Sequence, residues 1–470
     1  LNDRNAPNTR PADEAEPLPH DRSIADYGRA LRSGAFTAQA SIEACLERVA
    51  AERALDAFVY VDADGALASA RAVDLQLAAH VDLGPLMGVP LALKDLYAVA
   101  GMPLTAGSRV DVADRVPGEG SLVRALRRAG AIVIGKTRTT EFAFGTYNPT
   151  HPTPRNPGDR SAHRMPGGSS AGSAVAVAGG LCGVAFGTDT GGSVRQPAAL
   201  CGVAGFKATA GRLPMDGVFP LSPTFDSPGW FANRVDDLAA VWQLLSGEPP
   251  APTRAVDAQV FGVPDAHFFD DLEPDVAQAF ELAQRRLAAA GARIVPITLP
   301  SLADLDAAFG AFLSAELVAF LGRERVTANL SQMDPVVAGR IAPGLTLPAD
   351  AYIDLRRRFA VIADAAARAI AGVDVVLTPT CPRVAALVAG HEATDAAAAW
   401  SRETLRFTRP GNLFGFCGIS LPIHRLVGSL PVGLQLLGRG DDDAKLLATA
   451  ASVERLLGVP AGPTARPSRQ

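Results

Sequence analysis

The stretch from Met165 to Arg195, MPGGSSAGSAVAVAGGLCGVAFGTDTGGSVR, decides how the rest of the chain is read. It holds two serine-bearing glycine turns, Gly167-Gly168-Ser169-Ser170 and Gly191-Gly192-Ser193, joined by a small-residue apolar segment. That segment is cut by Gly179-Gly180 and Gly183. It therefore predicts a buried helix followed by a strand, since a membrane span needs about 18 continuous apolar residues. Glycine lacks a Cβ, so it reaches backbone angles closed to other residues and lets a ligand approach the main chain. Successive N–H groups in such turns can converge on a developing oxyanion. A serine held there can attack a carbonyl once a base removes its proton.

Histidine, the usual base, lies in neither turn. His151 and His163 are the nearest upstream, both in Pro/Arg/Asn-rich loop sequence, and neither Ser169 nor Ser193 is the centre of a Gly-x-Ser-x-Gly elbow. Lysine is the known substitute in serine hydrolases. Lys94 closes the apolar run GVPLALKD at 88–95, which reads as a buried strand and would deliver its amine into the interior. A free lysine, with a pKa of about 10.4, is uncharged at pH 7 in roughly one molecule of a few thousand. Desolvation of a buried ammonium is what would raise that fraction.

The blocks GVPLALKD, PGGSSAGS and GTDTGGSVRQPA, in this order, resemble the amidase signature family, whose members hydrolyse or transfer amides with a Ser–cis-Ser–Lys triad. Ser169 and Ser193 stand 24 positions apart, the family's spacing. Further matches are TAGS at 105–108, GKTRTTEFA at 135–143, PRNP at 154–157, Gly205-Phe206-Lys207 with Gly211-Arg212, and LPVGLQLLG at 430–438, so the resemblance covers residues 23–458. It implies Ser193 as nucleophile, Ser169 as proton relay on a cis peptide bond and Lys94 as base. The oxyanion donors would be the backbone N–H groups of Thr190, Gly191, Gly192 and Ser193, with Gly168, Ser170, Asp189 and Arg195 in support. No metal or organic cofactor is implied. Ser169 and Ser170 can also be read as caps of the helix that starts at Ala171, and Ser170 fits that role better. The chain departs from the family at Ala171, where many relatives have glycine. It departs again at Phe225-Asp226-Ser227-Pro228-Gly229-Trp230, where relatives often read closer to LDTVGP.

The implied activity is hydrolysis of a small-molecule carboxylic amide through an acyl-enzyme. A rival within the same fold is the glutaminase component of an Asp/Glu-tRNA amidotransferase. Its relatives usually carry Asn-Met-Asp-Glu-Phe where this chain has Arg138-Thr139-Thr140-Glu141-Phe142. From another class, the chain could be an inactive binding protein of that fold, although all three triad residues are present.

Composition narrows the setting. The chain has 470 residues, 48% hydrophobic and 20% charged, with a net charge of −5. This is the make-up of a globular protein with a large core, and it offers no general field for nucleic acid or an anionic membrane. Five cysteines without metal-type spacing read as reduced, buried thiols in a cytoplasmic protein. A homodimer stays open. The chain begins at Leu1 without an apolar signal core, which also leaves a trimmed leader open.

Taken in order, residues 1–22 read as a flexible tail rich in Pro, Asn, Asp and Arg, and residues 459–470 as a second tail. Between them the pattern predicts one large α/β domain, a central mixed β-sheet covered by helices on both faces. Residues 247–257, with three prolines, read as a linker that marks an insertion or sub-lobe. Gly130-Ala131-Ile132-Val133-Ile134-Gly135-Lys136-Thr137 fits G-x-x-x-x-G-K-[ST], but its variable positions are themselves a strand, unlike an open phosphate loop. Phe142, Phe144, Tyr147, Phe219 and Trp230 flank the site blocks as core or as an acyl pocket. Arg340 and Arg406 are candidates to meet a substrate carboxylate.

Overall fold

The computed structural model describes residues 22–458, so the two terminal tails lie outside the described residues but for Arg22. Its frame is one sheet of eleven strands. In chain order these are β1 (Phe58–Val61), β2 (Pro90–Lys94), β3 (Ile132–Thr137), β4 (Val184–Asp189), β5 (Ala204–Lys207), β6 (Ser227–Ala232), β7 (Val260–Pro264), β8 (Arg293–Ile297), β9 (Val375–Pro379), β10 (Cys417–Pro422) and β11 (Gly433–Gly438). In space they run β1-β3-β2-β4-β6-β5-β10-β11-β9-β7-β8. Parallel pairing joins β3, β2 and β4 at one side and β9, β7 and β8 at the other, and an antiparallel block lies between. This is the expected mixed α/β sheet. Strands β2, β4, β6 and β10 are buried along their whole length, so none needs a polar face.

Ends and caps follow the local sequence. Ser23 and Thr37 cap the helices Ile24–Arg32 and Ala38–Ala51, accepting from the N–H groups of Asp26 and Ala40. Gly247 ends the helix Val235–Ser246 in the left-handed conformation. The chain after 247–257 does not build a separate sheet: β7 pairs with β9 and extends the common one. The helices Ala303–Leu321, Pro335–Ile341 and Ala349–Ala369 follow, and the first packs on each of the other two. Aromatic side chains of the first and third converge on Phe225, whose ring lies 5.1 Å from Phe309, 5.5 Å from Phe312 and 5.2 Å from Phe359.

The phosphate-loop lookalike resolves as predicted. Residues 132–137 are β3, and the Lys136 ammonium is spent inside the protein on Asp95 Oδ1 at 2.7 Å and the Pro103 carbonyl at 3.0 Å. All five cysteines are buried, and none forms a disulfide among the described residues. No helix among the described residues is long and apolar enough to cross a membrane.

Candidate active site

Strands β2 and β4 run parallel with Leu93 opposite Phe186, so their C-terminal ends deliver Lys94 and Asp189 to the same edge of the sheet. The two glycine turns meet at this edge. The Ser170 N–H donates to the Ser193 carbonyl at 3.3 Å, and the Thr140 N–H donates to the Ser169 carbonyl at 3.2 Å. The Gly168–Ser169 peptide is cis.

Lys94 is fully buried. Its Nζ lies 2.7 Å from Ser169 Oγ and 2.9 Å from Thr188 Oγ1, and among the described residues it bonds to no carboxylate. Loss of water pulls its pKa down to about 7, against the weaker upward pull of the Asp226 and Asp189 charges. Asp226 is itself buried, accepts from the N–H groups of Leu221 at 2.8 Å and Ser222 at 3.0 Å, and takes the Thr190 hydroxyl. Burial pushes its carboxyl up to about 6.

Asp189 shapes the second turn from within. Its carboxylate accepts from the N–H groups of Gly192 (2.9 Å), Val194 (3.2 Å) and Arg195 (3.3 Å), and the Arg195 guanidinium closes on it at 2.9 and 3.1 Å. Burial works to raise the Asp189 carboxyl, but Arg195, Lys207 and Asn412 together hold it well below the usual range. Arg195 is held in turn by Gln435 (2.9 Å) and Asn412 (2.6 Å). The network corrects one expectation. The Gly192 N–H is committed to Asp189 and points into the protein, which leaves Thr190, Gly191 and Ser193 as the donors without a protein acceptor among the described residues. Gly192 is at φ +128, and a Cβ there would come within 1.9 Å of Thr408 Oγ1.

Ser170 corrects another. It stands at the N-cap of the helix Ala171–Ala178, but its hydroxyl does not cap; it exchanges 3.3 Å hydrogen bonds with the backbone N–H and carbonyl of Thr188. Gly168 is placed by its N–H bond to Gln196 Oε1 at 2.9 Å and by the Thr146 carbonyl, which a Cβ would meet at 2.7 Å.

Thr190, Gly191 and Ser193 open onto a cavity of about 610 Å³. Phe144, Leu221, Phe309, Leu313 and Leu405 supply apolar wall, and Arg340, Arg402 and Arg409 supply charge. Of the aromatics singled out in the sequence, Phe144 reaches this cavity. Phe142, Phe219 and Trp230 are core, and Tyr147 packs with Met165 and Trp400 in a smaller cluster. Arg340 lies in the cavity wall. Arg406 does not: its guanidinium bonds to the Asp270 carbonyl and lies 4.7 Å from the Phe407 ring centroid. Thr188 and Asp226 went unassigned, although Thr188 sits inside the block GTDTGGSVRQPA. Arg402 and Arg409 carry no local signal.

A chain with this geometry has relatives in sequence and in structure. The Amidase family model matches residues 40–447. The 2-amino-5-chloromuconic acid deaminase of Comamonas testosteroni is 39% identical, over 93% of this chain and 96% of its own. A glutamyl-tRNA(Gln) amidotransferase component from Acidobacterium capsulatum is 33% identical, over 91% and 98%. A crystal structure of an amidase superposes with a TM-score of 0.84 at 32% identity, covering 92% of this chain and 99% of that one. The chain belongs to the amidase signature family and is an amide hydrolase.

Proposed function

We propose that the enzyme hydrolyses a small-molecule carboxylic amide through an acyl-enzyme on Ser193. The observation that carries this reading is the buried Lys94 amine, bonded to the Ser169 hydroxyl and drawn toward neutrality. Neutral Lys94 takes the Ser169 proton while Ser169 takes that of Ser193, and Ser193 Oγ bonds to the amide carbon. The carbonyl electrons move onto oxygen, which the N–H groups of Thr190, Gly191 and Ser193 receive; removing one such donor costs typically about 3 kcal/mol of barrier. The proton returns through Ser169 to the departing nitrogen, the C–N bond breaks, and water repeats the path on the ester to release the acid. Neither a metal nor an organic cofactor enters these steps. Five buried thiols support a cytoplasmic setting.

A fluorophosphonate should label Ser193, and Ser193→Ala should abolish both labelling and ammonia release. Wild-type enzyme that neither labels nor releases ammonia from any amide would defeat the reading. The likeness to an amidotransferase component supports a second one, a glutaminase feeding a partner. It requires glutamine hydrolysis that depends on an added partner protein.

A further inference from the structure

The cavity that exposes Ser193 is electrostatically one-sided. Among the described residues its lining carries three guanidinium groups, on Arg340, Arg402 and Arg409, and no carboxylate. Arg340 is held in a set position. Its Nη1 donates to the Phe144 carbonyl at 2.9 Å, and its guanidinium lies 5.9 Å from the Phe144 ring centroid. The neighbouring Gly145 makes this placement possible, because a Cβ there would lie 2.0 Å from Nη1. Arg409 stands 5.5 Å from the Phe309 centroid, and Arg402 is at the exposed rim. Burial, with the charges of Arg409 and Arg402, lowers Arg340 to about 10, so it remains a cation at neutral pH.

Cations gathered on one wall repel each other, and a bound anion reverses the sign of that interaction. Guanidinium is the side chain best shaped for a carboxylate, through paired N–H donors. The remaining wall is apolar, and the volume is that of a small-molecule site. We infer that the substrate carries an ionised carboxylate, distant from the scissile amide and joined to it by an apolar skeleton, and that Arg340 is its main anchor. The monoamide of a dicarboxylic acid is the simplest compound of this class. The inference rests on Ser193 as the reacting group of the same cavity.

The test compares ammonia release from the monoamides of glutaric and adipic acid with release from their methyl esters at the far carboxyl. At least one acid should exceed its ester tenfold or more in kcat/KM, with the advantage shrinking as salt is added. Arg340→Gln should cut that preference at least tenfold, mainly through KM, and Arg340→Lys should keep part of it. Free adipate should slow fluorophosphonate labelling of Ser193 in the wild type and protect much less in Arg340→Gln. Protection is read for each protein as the ratio of its labelling rates with and without adipate, so a change in the variant's basal labelling does not enter. The inference is overturned by esters that react as well as the acids, by a preference that survives Arg340→Gln, or by absence of adipate protection. Failure of the Ser193 reading looks different, since then the wild type is not labelled at all.

Discussion

Lys94 ends β2 and Lys136 stands one residue before the end of the neighbouring parallel strand β3, and both ammonium groups are fully shut from water. Lys136 meets a carboxylate, Asp95 at 2.7 Å, and a carbonyl. Among the described residues, Lys94 meets two hydroxyls and no carboxylate. Burial lowers both pKa values, but at Lys136 the adjoining carboxylate opposes the shift directly. A buried charge is tolerable when paired and costly when not. The contrast separates a lysine paired with a carboxylate from one left to two hydroxyls. One secures the strand ends, and the other is the proposed base.

The largest expected effect breaks the comparison from the Lys94 side. Lys94→Ala should lower kcat/KM by about 10⁴-fold, the upper range for loss of a positioned base, while circular dichroism reports a folded protein. Wild-type turnover in that variant would remove Lys94 from the mechanism. Lys136→Met should behave oppositely, leaving Asp95 buried without its partner and costing about 3–5 kcal/mol of stability. Chemical denaturation reads this directly, and an unchanged midpoint would show that the pair is not structural.

Proton linkage sharpens the contrast. The folded pKa of Lys94, about 7, lies below the unfolded value of about 10.4, so between these the unfolded state holds more protons. Stability attributable to this group therefore rises with pH from about 7 to about 10.4, and that rise should be missing in Lys94→Ala. The same titration predicts that kcat/KM climbs with pH and levels off above about 7. The smallest effect concerns Asp226, whose charge raises the Lys94 pKa. Asp226→Asn should move the midpoint of the pH–rate profile to lower pH by about one unit or less. A shift to higher pH would contradict the proposed coupling.

Several elements were legible because their cause is local. The run ending in Lys94 is apolar at every position as a strand buried on both faces requires, and β3 extends the predicted 131–134 strand to Thr137. Strand β6 has no such local signal. Pro228 and Gly229 sit inside it, and proline without an N–H donor argues against an interior strand. The sheet accepts the proline because β5 pairing stops at Gly229, so Pro228 has a strand partner on one side only, Thr188 of β4. Arg406 was a candidate for the pocket that Arg402 and Arg409 occupy instead. The helix Thr394–Leu405 stops one residue before it, and a new one begins at Arg409, so helical spacing does not carry across the break.

By itself the sequence determined the α/β class, the family, the two serine turns and a lysine delivered into the interior. Each depends on residue type and short-range spacing. Tertiary structure alone decided what that lysine touches, since Ser169 is 75 residues away and Thr188 is 94. It also decided that Gly192 faces inward to Asp189, and that Arg340, Arg402 and Arg409 share one wall with Ser193. Contacts over such separations come from the order of strands in the sheet and the packing of helices against it, and no local pattern encodes either.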